Sequence, residues 1–450
     1  MTLHATRRWL LVAAALVALP LAWPGLAASA DAAAPAWQQV SEAGRRATSP
    51  EIAVGPDGAI NVVWLDRGLT AARPAEKPRK PGEHSHRSTT DLHFSRSTDG
   101  GRTWSKPFRV NSEPGSVWGF AVSKPRIAVG KSGTIHVFFP GNERSPVTKL
   151  DVVTARYTRS TDNGRTFEEA RTINRPPDFD RTGILGEGLS ATFSFGTMGV
   201  APDGTVVALW QDIGEMQKTA DGANAHMALS TDDGKTFSAE RAAISNDAVC
   251  PCCQLTVAFG SDSLLLGYRK LYDDGRDSTV ARSTDSGRTF SSEGRVPIGR
   301  WKIDGCPLKP TEVAVDGPRV YAAAYTGGME PAGVYLSRSE DGGRTFSGSQ
   351  LVHPGAPYSD APEMTVGPDG LLRIVWQAKT GGPRRLYTTQ SADQGVALSA
   401  PVEIPTPAGN SAYPASAVAP DGTVYVTWEQ EGEMVFVTAL GAATRATASR

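Results

Sequence analysis

The sequence predicts an all-β protein, a single β-propeller in which four-stranded blades form a closed ring. Three observations support this fold class: the content of turn residues, a turn motif that recurs five times, and seven hairpins with strand periodicity. The 450 residues include 47 Gly and 32 Pro, spread along the whole chain. Such a distribution is typical of many short strands joined by tight turns.

The first 30 residues have the pattern of a cleaved export signal. Arg7 and Arg8 precede an apolar run from Trp9 to about Trp23, and Ala28-Ser29-Ala30 supplies a small-x-small cleavage site. The arginine pair also loosely fits a twin-arginine signal, so both the general secretory and the twin-arginine routes stay open. We therefore expect an exported protein, either periplasmic or extracellular.

Charge and hydropathy exclude two classes of partner for the mature chain. Removal of residues 1–30 leaves 44 basic and 47 acidic residues, which gives no basic surplus for nucleic acid. No second apolar stretch is long enough to span a membrane. We expect neither nucleic-acid binding nor a membrane span after signal cleavage.

A turn motif, S-x-D-x-G-x-T-[WF], recurs five times, and a sixth copy at Ser391 keeps only its first half. The aspartates of the six copies are 52 to 70 residues apart, which is the size of one four-stranded unit. An Asp side chain can accept bonds from backbone N–H groups across a turn, and Gly permits positive φ. The five aspartates of the complete copies are therefore expected to be structural: Asp99, Asp162, Asp232, Asp285 and Asp341.

This motif is the Asp-box, and the chain resembles the sialidase-like, or BNR-repeat, β-propellers over nearly all of its mature length. In that family the boxes lie on the outer side of the propeller, away from the active site. The resemblance implies that residues 31–440 form one domain. We expect residues 441–450 to be a disordered tail.

Seven hairpins, each with an apolar-turn-apolar pattern, set the expected number of blades. They begin at Glu51, Arg126, Thr197, Leu255, Glu312, Glu363 and Ser416. Pro-Asp-Gly at four of the turns is a strong hairpin signal. Seven blades are favoured, and six are the alternative if one hairpin is an insertion. The last unit lacks a fourth strand, and residues 37–40 before the first hairpin could supply it and close the ring.

Loops that gather on one face around the central channel are where function concentrates in such a ring. The strand pattern predicts that this loop face carries residues 112–124, 175–194, 246–254, 299–309, 354–362 and 405–413. A flexible, basic and Pro-rich insertion at residues 67–90 belongs to the same face. A glycan or another small molecule is the expected ligand of this face, and a protein partner is the alternative.

All four cysteines fall in two neighbouring loops of this face. Cys250, Cys252 and Cys253 form a Cys-Pro-Cys-Cys run, and Cys306 lies in the next loop round the ring. In an exported protein they can form two disulfides. They can also form a thiolate site for copper or zinc, and free or redox-active thiols are the third alternative. We expect that the protein requires no cofactor, with copper or zinc at the cysteine cluster as the alternative.

The family resemblance also implies candidate catalytic residues. Sialidases bind the substrate carboxylate with three arginines and use a Tyr activated by Glu as nucleophile. The nearest match to the family's first arginine segment is Lys124-Pro125-Arg126-Ile127, without the aromatic residue of the family pattern. The candidates are Arg126 and Arg269 for the arginines, Glu187 for the acid or base, and Tyr358 for the nucleophile.

Two hypotheses of function follow from the sequence. The first is an exported, exo-acting glycoside hydrolase on acidic, sialoside-like sugars. The second is a non-catalytic propeller that binds a protein or glycan partner, with its cysteines paired or holding a metal.

Overall fold

The computed structural model describes residues 37–69, 90–144, 151–175, 189–213, 222–303, 305, 307–356 and 358–441. The expected export signal (1–30), nearly all of the expected insertion (67–90) and nearly all of the expected tail (441–450) lie outside these residues. So do Glu187 and Cys306. Within the part of the chain that the structure describes, there is no helix of the length and apolar character that a membrane crossing needs.

The described residues form 28 strands, which fall into seven four-stranded blades. β1 (Trp37–Gln39) precedes the first blade in sequence. The first four blades contain β2 (Arg45–Val54), β3 (Ile60–Leu69), β4 (Asp91–Ser97), β5 (Phe108–Arg109), β6 (Arg126–Val129), β7 (Ile135–Arg144), β8 (Asp151–Ser160), β9 (Arg171–Thr172), β10 (Leu189–Val200), β11 (Val206–Asp212), β12 (Ala223–Ser230), β13 (Arg241–Val249), β14 (Thr256–Phe259), β15 (Leu264–Tyr272), β16 (Gly275–Ser283) and β17 (Ser291–Arg295). The remaining strands are β18 (Thr311–Asp316), β19 (Arg319–Thr326), β20 (Gly333–Ser339), β21 (Ser347–Leu351), β22 (Asp360–Val366), β23 (Leu372–Ala378), β24 (Arg385–Ser391), β25 (Val402–Glu403), β26 (Ser411–Val418), β27 (Val424–Gln430) and β28 (Met434–Leu440).

The predicted all-β propeller with seven blades is confirmed, and so is its closure. β1 pairs with β28, so the last blade has the order β1-β28-β27-β26 and contains strands from both ends of the ring. Trp37 packs edge-on against Phe436 at a ring-centroid distance of 5.2 Å. A closed ring leaves no blade with an exposed inner sheet edge.

The hairpins that pair the two inner strands have the turn geometry that their sequences predict. At Gly55-Pro56-Asp57-Gly58, the amide of Gly58 donates to Gly55 O at 2.9 Å, and Gly58 has φ 76°. The Asp57 carboxylate accepts from the amide of Ala59 at 3.1 Å. Positive φ is available to Gly without steric cost, which explains its place at this turn.

The core lies between neighbouring blades, where apolar side chains of adjacent sheets interdigitate. Trp64, Trp210, Trp376 and Trp428 occupy equivalent strand ends and are fully buried. Trp118 is also buried, packed edge-on against Phe120 and Phe195. Its ring therefore belongs to the packing of the loop face and is not available for stacking on a sugar.

The motif turns have one recurring hydrogen-bond pattern, shown here at Asp99. Its carboxylate accepts from the amide of Thr103 at 2.9 Å and from the Thr103 hydroxyl at 2.6 Å. The Ser97 hydroxyl donates to the same carboxylate and accepts from the amide of Gly101 at 2.9 Å. The other four complete copies make the same set of bonds. These turns join the third and fourth strands of the first five blades, at the opposite strand ends from the loop face.

Candidate functional site at the mouth of the central channel

The innermost strand of each blade presents one residue at an equivalent position, three residues before its last pair with the second strand in six blades and four residues before it in the fifth. This ring position is occupied by Glu51, Arg126, Thr197, Thr256, Glu312, Glu363 and Ala415. Mostly apolar residues follow it in these strands, so a charged residue here is an exception to the pattern of the blade core. Four of the seven are charged.

These four charged side chains, together with Lys124, form a buried cluster that we call the axial cluster. Lys124 Nζ donates to Glu363 Oε1 at 2.7 Å and lies 3.1 Å from Glu51 Oε2. Arg126 Nη1 donates to the same Glu51 oxygen at 3.0 Å. The contacts join the first, second and sixth blades, which places the cluster where the inner strands meet.

Burial controls the ionisation of the carboxyl groups in the axial cluster. It raises the pKa of Glu312 to about 8, and the negative charge of Glu363 adds to the effect. Burial also raises the pKa of Glu363, although Lys124 opposes this shift. For Lys124, burial disfavours the charge, but Glu363 and Glu51 outweigh it and raise the pKa. At neutral pH the cluster therefore contains two cations and a protonated Glu312.

A small cavity opens above the axial cluster, and its volume is about 30 Å³. This is room for about two water molecules. The lining residues are Ala121, Val122, Lys124, Arg126, Gln254, Leu308, Pro310, Glu312, Asp360, Ala361, Pro362, Glu363, Tyr413 and Pro414. They come from five loops or strand starts of the loop face, so the cavity lies at the mouth of the central channel.

The backbone around this cavity is strained in a regular way. Leu308, Ala361 and Tyr413, which line the cavity, have φ of 56°, 47° and 48°. Ser49 and Phe195, at the corresponding places in two further blades, have φ of 53° and 51°. Left-handed φ in residues other than Gly costs about 1–3 kcal/mol each and concentrates at functional sites. The inner strands bulge at most of these points, which turns the following side chain toward the channel.

Tyr413 supplies an aromatic hydroxyl group at the mouth of the central channel. Its amide donates to Gln377 Oε1 at 2.6 Å, which fixes the backbone at the bulge. Burial raises the pKa of the Tyr413 hydroxyl, and the carboxylate of Glu429 adds to this shift. Glu429 in turn accepts from the amide of Ser49 at 2.9 Å. The hydroxyl is therefore un-ionised at neutral pH and can donate a hydrogen bond into the cavity.

The three described cysteines form a second cluster, which we call the thiol cluster, next to the mouth. Cys250 Sγ lies 3.6 Å from Cys252 Sγ and 3.9 Å from Cys253 Sγ, and all three side chains are buried. No disulfide joins these three residues to one another. Gln254, the next residue, lines the cavity and donates to Lys124 O at 3.1 Å. The thiol cluster and the axial cluster are therefore connected through one residue.

Comparisons with known proteins support the fold. No protein-family model matches the chain, and no curated protein matches it. Among solved structures, an ulvan lyase, a polysaccharide lyase bound to -[GlcA(1-4)Rha3S]-, matches with a TM-score of 0.56 and 14% identity over 90% of this chain and 96% of that one. A Hadza microbial sialidase matches with a TM-score of 0.51 and 17% identity over 88% of this chain and 65% of that one.

The chain has the sialidase-like β-propeller fold. A protein of unknown function from Dyadobacter fermentans shares it, with a TM-score of 0.51 and 14% identity over 91% of this chain and the whole of that one. At these identities the likeness concerns the fold alone, and the 65% coverage of the sialidase means that this chain spans less than two thirds of it.

Of the residues singled out for catalysis in this sialidase-like propeller, Arg126 lies in the axial cluster. Arg269 is 1% exposed, and its guanidinium donates to three backbone carbonyls, those of Arg276 at 2.7 Å, Tyr325 at 2.9 Å and Lys309 at 3.1 Å. Arg269 therefore joins two blades and does not face the cavity. Tyr358 is 70% exposed and is not part of the lining.

The described residues do not bring three arginines together. Arg126 is the single arginine among the lining residues that the structure describes. Arg300 is largely exposed and pairs with Asp274. Arg385 Nη1 donates to Pro407 O at 2.6 Å in the sixth blade. A sialidase-type carboxylate pocket is therefore absent from the described mouth, where Lys124 and Arg126 are the basic groups.

Sequence reasoning passed over Glu51 and Glu312, and it treated Lys124 as a flanking residue. The sequences of the inner strands contain a pattern that identifies these residues. The inner strands read Glu51-Ile-Ala-Val, Arg126-Ile-Ala-Val, Glu312-Val-Ala-Val and Glu363-Met-Thr-Val. A charged residue at one fixed place in four such strands indicates an axial position, because an inner strand is otherwise apolar at the blade interface.

Proposed function

We propose that the channel mouth binds an acidic glycan and cleaves a glycosidic bond in it, with Glu312 as the general acid. The observation that carries this proposal is a carboxyl group whose pKa is raised to about 8 by burial, located in the cavity at the axis of the propeller. A general acid must hold its proton at the working pH and face the substrate. Glu312 holds its proton at neutral pH and lines the cavity, so it would face a substrate bound there.

The charges around Glu312 favour an anionic substrate. Lys124 and Arg126 carry fixed positive charge, and burial raises the pKa of Glu363, one of their two carboxylate partners. The carboxylate of an entering ligand would lie close to these two cations. If a glutamate of the axial cluster took up a proton at the same time, the charge of the ligand would replace the charge of that glutamate. Glu51 or Glu363 would be the second carboxyl group that glycoside hydrolysis needs.

Similar folds bind acidic sugars, which supports this choice of substrate. The ulvan lyase was solved with -[GlcA(1-4)Rha3S]-, a repeat that contains a uronic acid and a sulfated sugar. An export signal at residues 1–30, as the sequence predicts, would bring this chain to polysaccharides outside the cytoplasm.

The size of the cavity favours a second candidate, a non-catalytic propeller that binds a glycan or a protein on the same face. A volume of about 30 Å³ admits a carboxylate or two waters, but not a sugar ring. The ring of a substrate would have to lie above the mouth, with only its charged group inside. A ligand held in this way can be bound without being cleaved.

The experiment that tests the proposal is a panel of sialosides, polyuronides and neutral glycosides, assayed with the wild-type protein and with Glu312→Gln. Glutamine keeps the shape and the neutral charge but cannot transfer the proton, so we expect kcat to fall about 100-fold or more. Activity of the wild type should fall as the pH rises through about 8, because Glu312 then loses its proton. Formation of reducing ends without ultraviolet absorbance identifies hydrolysis, whereas an absorbing unsaturated uronate identifies β-elimination.

Glu340→Gln is the matched control, since Glu340 is exposed and lies far along the blade from the mouth. Its activity should equal that of the wild type. Binding of an acidic glycan without turnover would support the non-catalytic candidate. Neither binding nor turnover across the panel would overturn both.

A further inference from the structure

We infer that the thiol cluster is a binding site for one Cu(I) ion, held by the sulfur atoms of Cys250, Cys252 and Cys253. This site is separate from the glycan site, and its argument does not depend on the proposed function. It rests on the spacing of the sulfurs, their burial, and the charged groups that face them.

The spacing of the sulfurs fits three ligands around one ion. Metal–thiolate bonds of about 2.3 Å place the sulfurs of a trigonal or tetrahedral site about 3.8–4.0 Å apart. The Sγ distances from Cys250 are 3.6 Å to Cys252 and 3.9 Å to Cys253, and all three sulfurs lie within 4.8 Å of one another. A disulfide requires about 2.0 Å, so the sulfurs stand at ligand distance and not at bonding distance.

The surroundings stabilise negative charge on the sulfurs. Arg276 Nη1 donates to Cys250 Sγ at 3.6 Å, and the amide of Lys309 donates to Cys253 Sγ at 3.4 Å. Because thiolates and not thiols bind metals, a cluster of three thiolates needs such compensating cations in a buried site.

The number and type of ligands select the ion. Soft thiolates favour Cu(I) and Zn²⁺ among biological metals. Structural zinc is almost always four-coordinate, but the ligating group found among the described residues has three members, all cysteines. Three buried thiolates suit Cu(I), which accepts a trigonal site and is shielded from water and oxidation when its ligands are fully covered.

A bound ion would brace the channel mouth. The Cys253 carbonyl accepts from Gln211 Nε2 at 2.6 Å, and Gln254 Nε2 donates to Gly196 O at 2.9 Å. On the other side, Lys309 connects the thiol cluster to Asp360, a lining residue, through an ion pair. Fixing the three sulfurs would therefore fix two loops that line the cavity.

The test is anaerobic titration of the reduced protein with Cu(I) against the chromogenic chelator bicinchoninate, followed by X-ray absorption at the copper edge. We expect one Cu(I) per chain with three sulfur neighbours, and a higher melting temperature for the copper-loaded protein. Cys250→Ser and Cys253→Ser should each lower the tightly bound copper from one per chain to none. Circular dichroism of both variants checks that they are folded.

Cys306→Ser is the matched control, because it removes the fourth thiol of the chain and leaves the three described sulfurs in place. It should retain one Cu(I). Loss of copper in this variant, or four sulfurs around a zinc ion in the wild type, would contradict a three-thiolate copper site. Intact-mass measurement that shows four protons missing from the protein as purified, and hence two disulfides, would also overturn the inference. The absorption measurement on the wild type decides the matter even if a variant fails to fold.

Discussion

Glu312 is a buried carboxyl group that keeps its proton at neutral pH. Its side chain is buried at the axis among Lys124, Arg126, Glu51 and Glu363, and burial raises its pKa to about 8. A buried ionised carboxylate without a direct partner costs several kcal/mol, whereas the neutral acid costs far less. The protein therefore holds a proton at this point over the whole neutral range.

This proton makes the stability of the protein depend on pH. In the unfolded chain Glu312 ionises near 4.5, and in the folded chain near 8. Between these values the folded state binds more protons, so the free energy of unfolding should fall as the pH rises from about 4.5 to 8. Glu312→Gln is neutral in both states and lacks this contribution. We expect the variant to gain on the order of a few kcal/mol relative to the wild type by pH 9, and little at pH 4.

Urea denaturation of both proteins at pH 4, 6, 8 and 9 measures the difference. The other carboxyl groups with raised pKa values, Glu363 and Glu429, are present in both proteins, so the difference isolates Glu312. Glu340→Gln serves again as the control, with a constant offset from the wild type. Parallel curves for the wild type and Glu312→Gln would refute a raised pKa at this position.

At the scale of single elements, the five motif turns fasten the outer hairpins. In each of them a Ser hydroxyl and an Asp carboxylate satisfy amides that would otherwise lack a partner in the turn. In the fourth blade, the hydroxyl and amide of Thr289 hold the pKa of Asp285 at about 2. The carboxylate therefore stays ionised, and the turn keeps its bonds, down to strongly acidic pH.

Removal of one buried hydroxyl measures the contribution of such a turn. Ser339 Oγ is buried, donates to Asp341 Oδ1 at 2.7 Å and accepts from the amide of Gly343 at 2.8 Å. Ser339→Ala leaves this amide without its partner, so we expect the free energy of unfolding to fall by about 1–3 kcal/mol. Thermal and urea denaturation measure the loss. Ser261→Ala, the same change at an exposed position, should have almost no effect, and an equal loss in both variants would disprove the role of the turn.

At the scale of the whole molecule, stability depends on ring closure. Each blade buries its faces only against its neighbours, and β1 supplies the outermost strand of the seventh blade. Without β1, the edge of β28 from Phe436 to Thr438 would lose its backbone partners. An unpaired edge both weakens the ring and offers a surface for aggregation.

Shortening the N-terminus through β1 tests closure. A mature chain that begins at residue 42 lacks Trp37 and its contact with Phe436, and we expect it to lose on the order of a few kcal/mol and to aggregate on warming. Differential scanning calorimetry and size-exclusion chromatography measure the two effects. Gln38→Ala, a change at an exposed position of the same strand, is the control and should behave as the wild type. A shortened chain that melts with the wild type would show that the other six blade interfaces suffice.

Local sequence patterns were enough to predict the fold. Pro-Asp-Gly turns, strand alternation and the five S-x-D-x-G-x-T-[WF] segments are decided within a few residues, so each can be recognised from the sequence alone. Their repetition gave the number of blades, and residues 37–40 gave the closing strand. All of these predictions concern contacts between neighbours in the chain or in the ring.

The site could be predicted only in part. The loop face and the neighbourhood of Cys250, Cys252 and Cys253 followed from topology, and Arg126 followed from a family segment. Arg269 was a candidate to complete the arginine triad without any matching segment, and in the structure its guanidinium donates to backbone carbonyls. Glu187 and Cys306 lie outside the described residues, so their predicted roles stay predictions.

The amino-acid sequence by itself determined a ring of seven sheets with loops gathered at one end. Only the tertiary structure decided that Glu51, Lys124, Arg126, Glu312 and Glu363 meet at the axis, since contacting members of the cluster such as Lys124 and Glu363 are 239 residues apart in the chain. The physical reason is that the ionisation of a buried group depends on which charges surround it and how far water is excluded. Both are properties of the closed ring, and no segment of the chain carries them alone.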